Sequence, residues 1–446
     1  MRNRFKIIFL AMVVLMTGCA GSVIQTNSPG GDGSGNSPTG IPGQTTAESF
    51  AGGTVQKNLF ALGGDFPPAI VIPDVPGMTG TAFVVTFNPA AVVPLDLSTT
   101  PPKASTAFKV FDATAIPEAA FPNNVWIESP TRGYLLSSSD IIVFNPSTGE
   151  KLATVSVTAP IQLTQSLAYS QPGDCDGNGT PESSVGPGPF TPSFPSSLAI
   201  HSGHLFVTMA NTCFDSSFES FYIQGILLIF DVQSGPPFLK VASTPFLVLP
   251  GFNASGITPL SHRILVTSTG DTSLQGGVNI PQSDSFLTQI DPGTLQITNL
   301  LNLGKVAANF QPLAVNGPET RGYIGSAAFS EVYEINLNNF QVLRGDNDPI
   351  VIYGGEDFIS DQEMAFGDEV LLVSSFNHSA VRAVDLTANP LAAIATELSF
   401  AFPENPGVTG AGPMALRPGQ PGVDFGGPDL WVLTGSPGTV SAATTY

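Results

Sequence analysis

The chain is 446 residues long, with 47 glycines, 40 prolines and only 11% charged residues. Acidic groups outnumber basic ones 35 to 15, a formal charge of −20. A surface of that sign repels phosphate backbones and anionic headgroups, so nucleic acid is set aside as a partner and divalent cations or cationic proteins are favoured.

Residues 1–19 read MRNRFKIIFLAMVVLMTGC. A basic start precedes an apolar run from Ile7 to Met16. That run is too short to span a bilayer and suits the core of an export signal. Its ending, Leu15-Met16-Thr17-Gly18-Cys19, resembles the bacterial lipoprotein box, with Met16 where leucine is more usual. The resemblance implies a signal peptide of residues 1–18, cleavage before Cys19, and acylation of Cys19 (palmitate among the chains) as a lipid anchor in the membrane. The same resemblance implies, from Ala20 rather than an aspartate after that cysteine, the outer membrane of the cell envelope. Without Arg2, Arg4 and Lys6 the chain keeps 12 basic and 35 acidic groups, a formal charge of −23. Residues 20–53 hold almost no large apolar side chains. They cannot offset their own ordering entropy, so 19–53 is expected to be a lipidated cysteine and a flexible tether.

From residue 54 the texture changes. Runs such as AFVVTF (82–87), HLFVTMA (204–210), RILVTS (263–268) and LWVLTG (430–435) are β-branched and aromatic, with Gly, Pro, Asn or Asp at their ends. No stretch shows a clean helical period with caps. Asp96, Asn145, Asp231, Asp291, Asn336 and Asp385 each close such a run and open a turn, at gaps of 49, 86, 60, 45 and 49. Strands recurring near every 45–50 residues predict an all-β, seven-bladed β-propeller over residues 54–446. Thr131-Arg132-Gly133-Tyr134-Leu135 before IIVFN is echoed 189 residues later by Thr320-Arg321-Gly322-Tyr323-Ile324 before VYEIN. On these residues the chain resembles the YVTN-type propeller repeat family of secreted and surface proteins. Units are expected near 79–105, 123–160, 195–248, 252–304, 310–354, 357–400 and 406–446. The last is short of strands, so 55–62 or 68–73 is expected to complete it and remove an open edge. Nothing divides 54–446 into two compositional halves, which argues against a pair of β-sandwiches.

The sharpest local motif lies in a long insertion near 171–190, where Asp174, Asp176 and Asn178 alternate before Gly179. This matches the opening of an EF-hand-like loop, in which alternating short side chains give one tight turn several hard oxygens for Ca2+. Thr180 and Glu182 supply the next ligands. Val185 stands where an EF-hand has its bidentate Glu, so the motif resembles the shortened calcium loops of extracellular repeats, with a structural ion. An ordinary Asp/Gly-rich hairpin tip is the plain alternative. With Cys19 lipidated, Cys175 and Cys213 are left to form one disulfide or to stay as two thiols.

The four histidines, His201, His204, His262 and His378, have no evident companions for a complete metal site. Glu356, Asp357, Asp361 and Glu363 crowd one acidic loop, and Arg344-Gly345-Asp346 spells a short adhesion tripeptide. No nucleophile elbow, zinc-protease motif or phosphate loop is present. The expected role is therefore a monomeric, lipid-anchored propeller that binds or scaffolds a protein or ligand. The alternative is a lactonase-like hydrolase, which needs acids or histidines such as Glu356, Asp361 or His262 to converge on the central tunnel.

Overall fold

The structure is a computed structural model. It describes residues 45–445 apart from 46, 63–66, 79, 88–89, 100, 105–120, 176–178, 215–219, 276–277, 357–360, 367–368, 403–409, 417–428 and 436–437. The strands form seven antiparallel meanders set around one axis. The first strands of neighbouring blades lie side by side in a closed circle, from Ala69–Val71 through Asn124–Ser129, Pro195–His201, Ala254–Leu260, Ala314–Val315 and Asp361–Phe366 to Ala411–Leu416. Blade 1 opens with Ala69–Val71, ahead of the unit expected from 79.

Between the two candidate closing segments the ladder selects the earlier one. Thr54–Ala61 pairs antiparallel with Thr439–Thr444 as the outermost strand of blade 7. The segment from 68 is the innermost strand of blade 1 instead. Just ahead of Thr54, a single helical turn, Ala47–Ala51, buries Phe50 completely among Leu398, Phe400 and Val381. Blade 5 has its outer strand in two pieces, Gln341–Arg344 and Ile350–Glu356, both paired with Phe329–Asn336.

The core lies between the blades rather than at the axis. Its apolar clusters join blades 7 and 1, 1 and 2, 2 to 4, 4 and 5, 5 and 6, and 6 and 7. Each sheet buries one face against each neighbour, so the second and third strands read as continuous apolar runs instead of alternating ones.

The strand-closing Asp and Asn residues end the third strand of their blades and cap the turn that follows. Asn145 Oδ1 accepts from the Ser147 and Thr148 amides at 2.9 and 3.2 Å. Asp291 does the same for Gly293 and Thr294, and Asn336 for Asn338 and Asn339. A short side-chain acceptor two residues upstream folds the chain back as a turn, which explains the residue types. Asp231 departs from the pattern: it faces His204 Nδ1 at 3.0 Å. The repeated Arg-Gly-Tyr also has a physical basis. In blade 2, Glu128 accepts from the guanidinium of Arg132 and from Tyr134 Oη; in blade 5, Glu334 takes Arg321 and Tyr323. Burial, with the nearby carboxylate, pushes both phenols above their ordinary value. The residue between is glycine because, in blade 2, a Cβ on Gly133 would stand 2.8 Å from the Phe144 ring.

Candidate functional site

Within a blade the chain runs across the ring, back, across and back again. The links between blades and the loops joining second to third strands therefore share one face, here the connection face. The remaining turns share the opposite one, the turn face. Among the described residues, four short ribbons rise from the connection face outside the blades. Two lie between blades 2 and 3: Ile161–Leu163 with Gly188–Phe190, and Leu167–Gly173 with Glu182–Val185. A third, Thr212–Phe214 with Ser220–Tyr222, joins the second and third strands of blade 3. The fourth, Thr272–Gln275 with Val278–Pro281, does so in blade 4.

These ribbons are bonded into one layer. Cys175 and Cys213 form a disulfide across 38 residues, with their Cα atoms 5.8 Å apart. Ser170 Oγ accepts the Tyr222 amide at 3.0 Å, and the Tyr169 and Phe221 rings sit 5.4 Å apart. Gly173 is glycine because a Cβ there would meet the Phe221 ring at 2.2 Å. Leu163, Leu167, Tyr169, Cys213 and Phe221 belong to the same apolar cluster as Trp126, Leu198 and Ile264 of blades 2 to 4, so the layer is rooted in the ring. Asp271, at the base of the fourth ribbon, is 4% exposed and hydrogen-bonded to the Ser170 hydroxyl. Burial pushes its carboxyl above the ordinary range, against the pull of that hydroxyl. Farther along, Asn279 Nδ2 donates to the Ala327 carbonyl of blade 5 at 3.4 Å.

The expected calcium loop is the tip of the second ribbon. Register pairs Gly173 with Glu182, which sets Asp174 and Glu182 at the two sides of the ribbon's end. Asp174 Oδ2 accepts the Gly179 amide at 2.8 Å. Thr180 is exposed, while Asp176 and Asn178 lie outside the described residues. The expected donors are all hard oxygens close together in sequence, the ligand type Ca2+ takes. Among the described residues no three His, Cys, Asp or Glu side chains form a metal-holding group. Cys19 and the whole segment 1–44 also lie outside them. No helix of the described residues is long and apolar enough to cross a membrane.

The other singled-out residues are dispersed. His262 sits exposed in the first turn of blade 4, on the turn face. His201 Nε2 is 2.6 Å from the Leu260 carbonyl, in a turn of blade 3 on that same face. His378 stacks on Tyr353 at 3.6 Å, with the Arg382 guanidinium 3.9 Å from the same ring's centre. Glu356 ends the outer strand of blade 5, and Asp361 and Glu363 lie in the innermost strand of blade 6. Asp357 and those three side chains fall outside the described residues. Arg344 of the tripeptide donates to the Asp348, Leu391 and Pro349 carbonyls, so its guanidinium is engaged within the fold.

Sequence reading missed Ser170, Phe221 and Asp271. Their only signal is composition, a Ser, a Phe and an Asp in segments with no period.

No family model matches the sequence, and no curated protein matches it. Solved structures do. Sqt1 of Saccharomyces cerevisiae aligns over 87% of this chain and 99% of its own, at 12% identity and a TM-score of 0.49. The β-propeller domain of Cps50 (Swd1) from Myceliophteria thermophila aligns over 82% and 93%, at 10% identity and 0.44. Hsv2 of Kluyveromyces lactis aligns over 70% and 72%, at 10% and 0.39. Likeness at this level is one of form and says nothing of partner or chemistry.

Proposed function

We propose that this chain is a lipid-anchored β-propeller of the bacterial outer membrane, of YVTN-repeat type, that binds or scaffolds a protein partner through its connection face. One observation carries the reading. The ribbons added to the blades rise from a single face and are joined into one layer by Cys175–Cys213 and Ser170. Layers of this kind, rooted in a rigid ring, hold contact residues in fixed positions and lower the ordering cost of binding. The path of the chain agrees with it. Thr54 pairs with Thr444, at the turn-face end of blade 7. Residues 45–53 are held on the ring there by Phe50 and Thr45, so a tether between Cys19 and Thr45 would leave opposite the ribbons and present them away from the membrane.

A structural Ca2+ held by Asp174, Asp176, Asn178, Thr180 and Glu182 would fix the tip of the second ribbon by neutralising its crowded oxygens. The chain's own part is to close the ribbon at Gly173 and Glu182 and to pin that end through Cys175.

The test has three arms on the full-length protein in a bacterial host. Palmitate labelling and outer-membrane fractionation should both be lost in Cys19→Ser. Thermal melting of the detergent-solubilised protein should rise with calcium over chelator, and Asp176→Ala should abolish that rise. A photo-crosslinker at Ser183, exposed beside the calcium turn, should capture a defined partner that one at His262 does not. An unlabelled wild type sinks the anchor, an unmoved melt sinks the calcium site, and equal capture from both faces sinks the binding face.

A further inference from the structure

The first turn of blade 3, on the turn face, is a two-residue loop. His201 ends the inner strand, His204 opens the second, and the two pair across the ladder with Ser202 and Gly203 between them. Both central residues are left-handed, at φ of 50° and 77°. Asparagine or glycine is the usual first residue of such a loop. Ser202 stands there instead, exposed, with its hydroxyl 2.7 Å from His201 Nδ1.

The contacts of His201 fix the role of each atom. Its Nε2 lies 2.6 Å from the Leu260 carbonyl. A carbonyl only accepts, so Nε2 carries the proton of the neutral ring and Nδ1 is left as an acceptor. The Ser202 hydroxyl therefore donates to Nδ1. A hydroxyl on an imidazole whose other nitrogen is held by an oxygen acceptor is the arrangement of nucleophile, base and orienting group. Register extends it: His204 stands opposite His201, and Asp231 opposite His204, so all three side chains line one face of the sheet. His204 Nδ1 is 3.0 Å from Asp231 Oδ1, at ion-pair distance but off the line of a hydrogen bond. A carboxylate in that row favours positive charge forming on His201. The corresponding turn of blade 4 differs. Its Ser261 hydroxyl and amide both donate to Glu319, at 2.7 and 2.8 Å, and its backbone is not left-handed.

We propose that Ser202 is a nucleophile, activated by His201, that accepts the acyl group of a carboxylic ester. Ser202 Oγ attacks the carbonyl carbon as His201 Nδ1 takes the hydroxyl proton. The ester bond breaks, its alcohol leaves with that proton, and the acyl group stays on Ser202. Water then attacks the acyl carbon, giving a proton to the same Nδ1, which returns it to Ser202 Oγ as the acid departs. The Ser202 and Gly203 amides, central in a two-residue loop, stand outside the ladder and can donate to the oxygen that becomes negative. Both residues are exposed, so the reactivity of the ester does the selecting and small activated esters are the class served.

The test uses the full-length, detergent-solubilised protein with a biotinylated fluorophosphonate and with p-nitrophenyl acetate. Mass spectrometry should find the phosphonate on Ser202. Release of p-nitrophenol should fall at least about ten-fold in Ser202→Ala and in His201→Gln, which keeps a donor toward Leu260 and supplies no base. Ser261→Ala should keep the wild-type rate. The proposal is overturned if Ser202 stays unlabelled, if either Ser202→Ala or His201→Gln releases p-nitrophenol as fast as wild type, or if Ser261→Ala loses as much as they do.

Discussion

Asp385 closes the third strand of blade 6, and its Oδ1 accepts from the Thr387 amide at 2.8 Å, the Thr387 hydroxyl at 2.6 Å and the Ala388 amide at 3.2 Å. The Thr387 hydroxyl first, then the amides, hold this carboxyl below its ordinary value. A lowered native value means that the stabilisation is present above the unfolded value, about 3.9, and is lost as pH falls through the native one. Asp385→Ala is expected to cost less than about 1 kcal/mol near neutral pH, because water screens so little-buried a carboxylate. In urea unfolding, its gap to wild type should narrow in acid. Asn336→Ala removes an uncharged cap and should show a gap that acid does not change. These caps were legible from sequence because turn chemistry is local: the acceptor and its donors are two or three residues apart. The row from His201 to Asp231 was not legible in the same way. Asp231 is far from His204 in sequence, and only the register of the strands sets the two side by side.

The ribbons of the connection face form the element whose stability is separable from the ring. Removing the crosslink with Cys213→Ser should cost about 4 kcal/mol by chain-entropy arithmetic for a 38-residue loop. Since only the ribbons near 161–190 and 212–222 depend on it, the loss should show as faster amide hydrogen exchange there. The inner strands of blades 5 and 6 should keep their protection, and uniform acceleration over all blades would refute a separate layer. The pairing itself could be narrowed from sequence, because two cysteines were left after the first. The ribbons could not. Thr212–Phe214 and Ser220–Tyr222 are three residues each, too short for alternation to register, and the ribbon they bond to lies 38 to 52 residues upstream. Ala69–Val71 lies in the segment 68–73, itself a candidate closing strand, and a run of three residues carries no mark of which sheet it joins, so the first blade was expected to begin ten residues late.

For the whole molecule, the closing of the ring is the decisive contact, and it rests on more than the strand pair. Thr445 donates its amide to Asp429 Oδ1 at 2.8 Å and its hydroxyl to Oδ2 at 2.6 Å. The same hydroxyl lies 2.8 Å from that of Thr45, and Ser49 Oγ donates to the Thr445 carbonyl. Both ends of the described residues thus meet over one buried carboxylate. Burial pushes Asp429 above its ordinary value, outweighing the Thr445 bonds. The sign is opposite to that of Asp385: the contribution is fully present below the unfolded value and is lost as pH rises through the native one. Asp429→Asn keeps an acceptor for the Thr445 amide and removes the buried charge. The variant should melt higher than wild type at neutral pH, and the difference should vanish in acid; a lower melt at neutral pH would show that the charge strengthens the clasp. The ring was legible from the spacing of strand ends, and the need for a closing strand from the shortness of the last unit. Which segment closes it depended on contacts nearly 400 residues apart.

The closing strand also decides how the ring meets a mechanical load. Thr54–Ala61 runs antiparallel along Thr439–Thr444, and the chain enters it at the turn face by way of the helical turn Ala47–Ala51. A pull on that leading chain, with the ring held through its opposite face, acts along the strand. The hydrogen bonds of the pair then share the load in shear instead of parting one at a time. The helical turn around Phe50 and the Thr45–Thr445 contact must give way before the first of them is strained. Held in this way, the ring keeps its shape under tension that would unzip a strand pulled sideways.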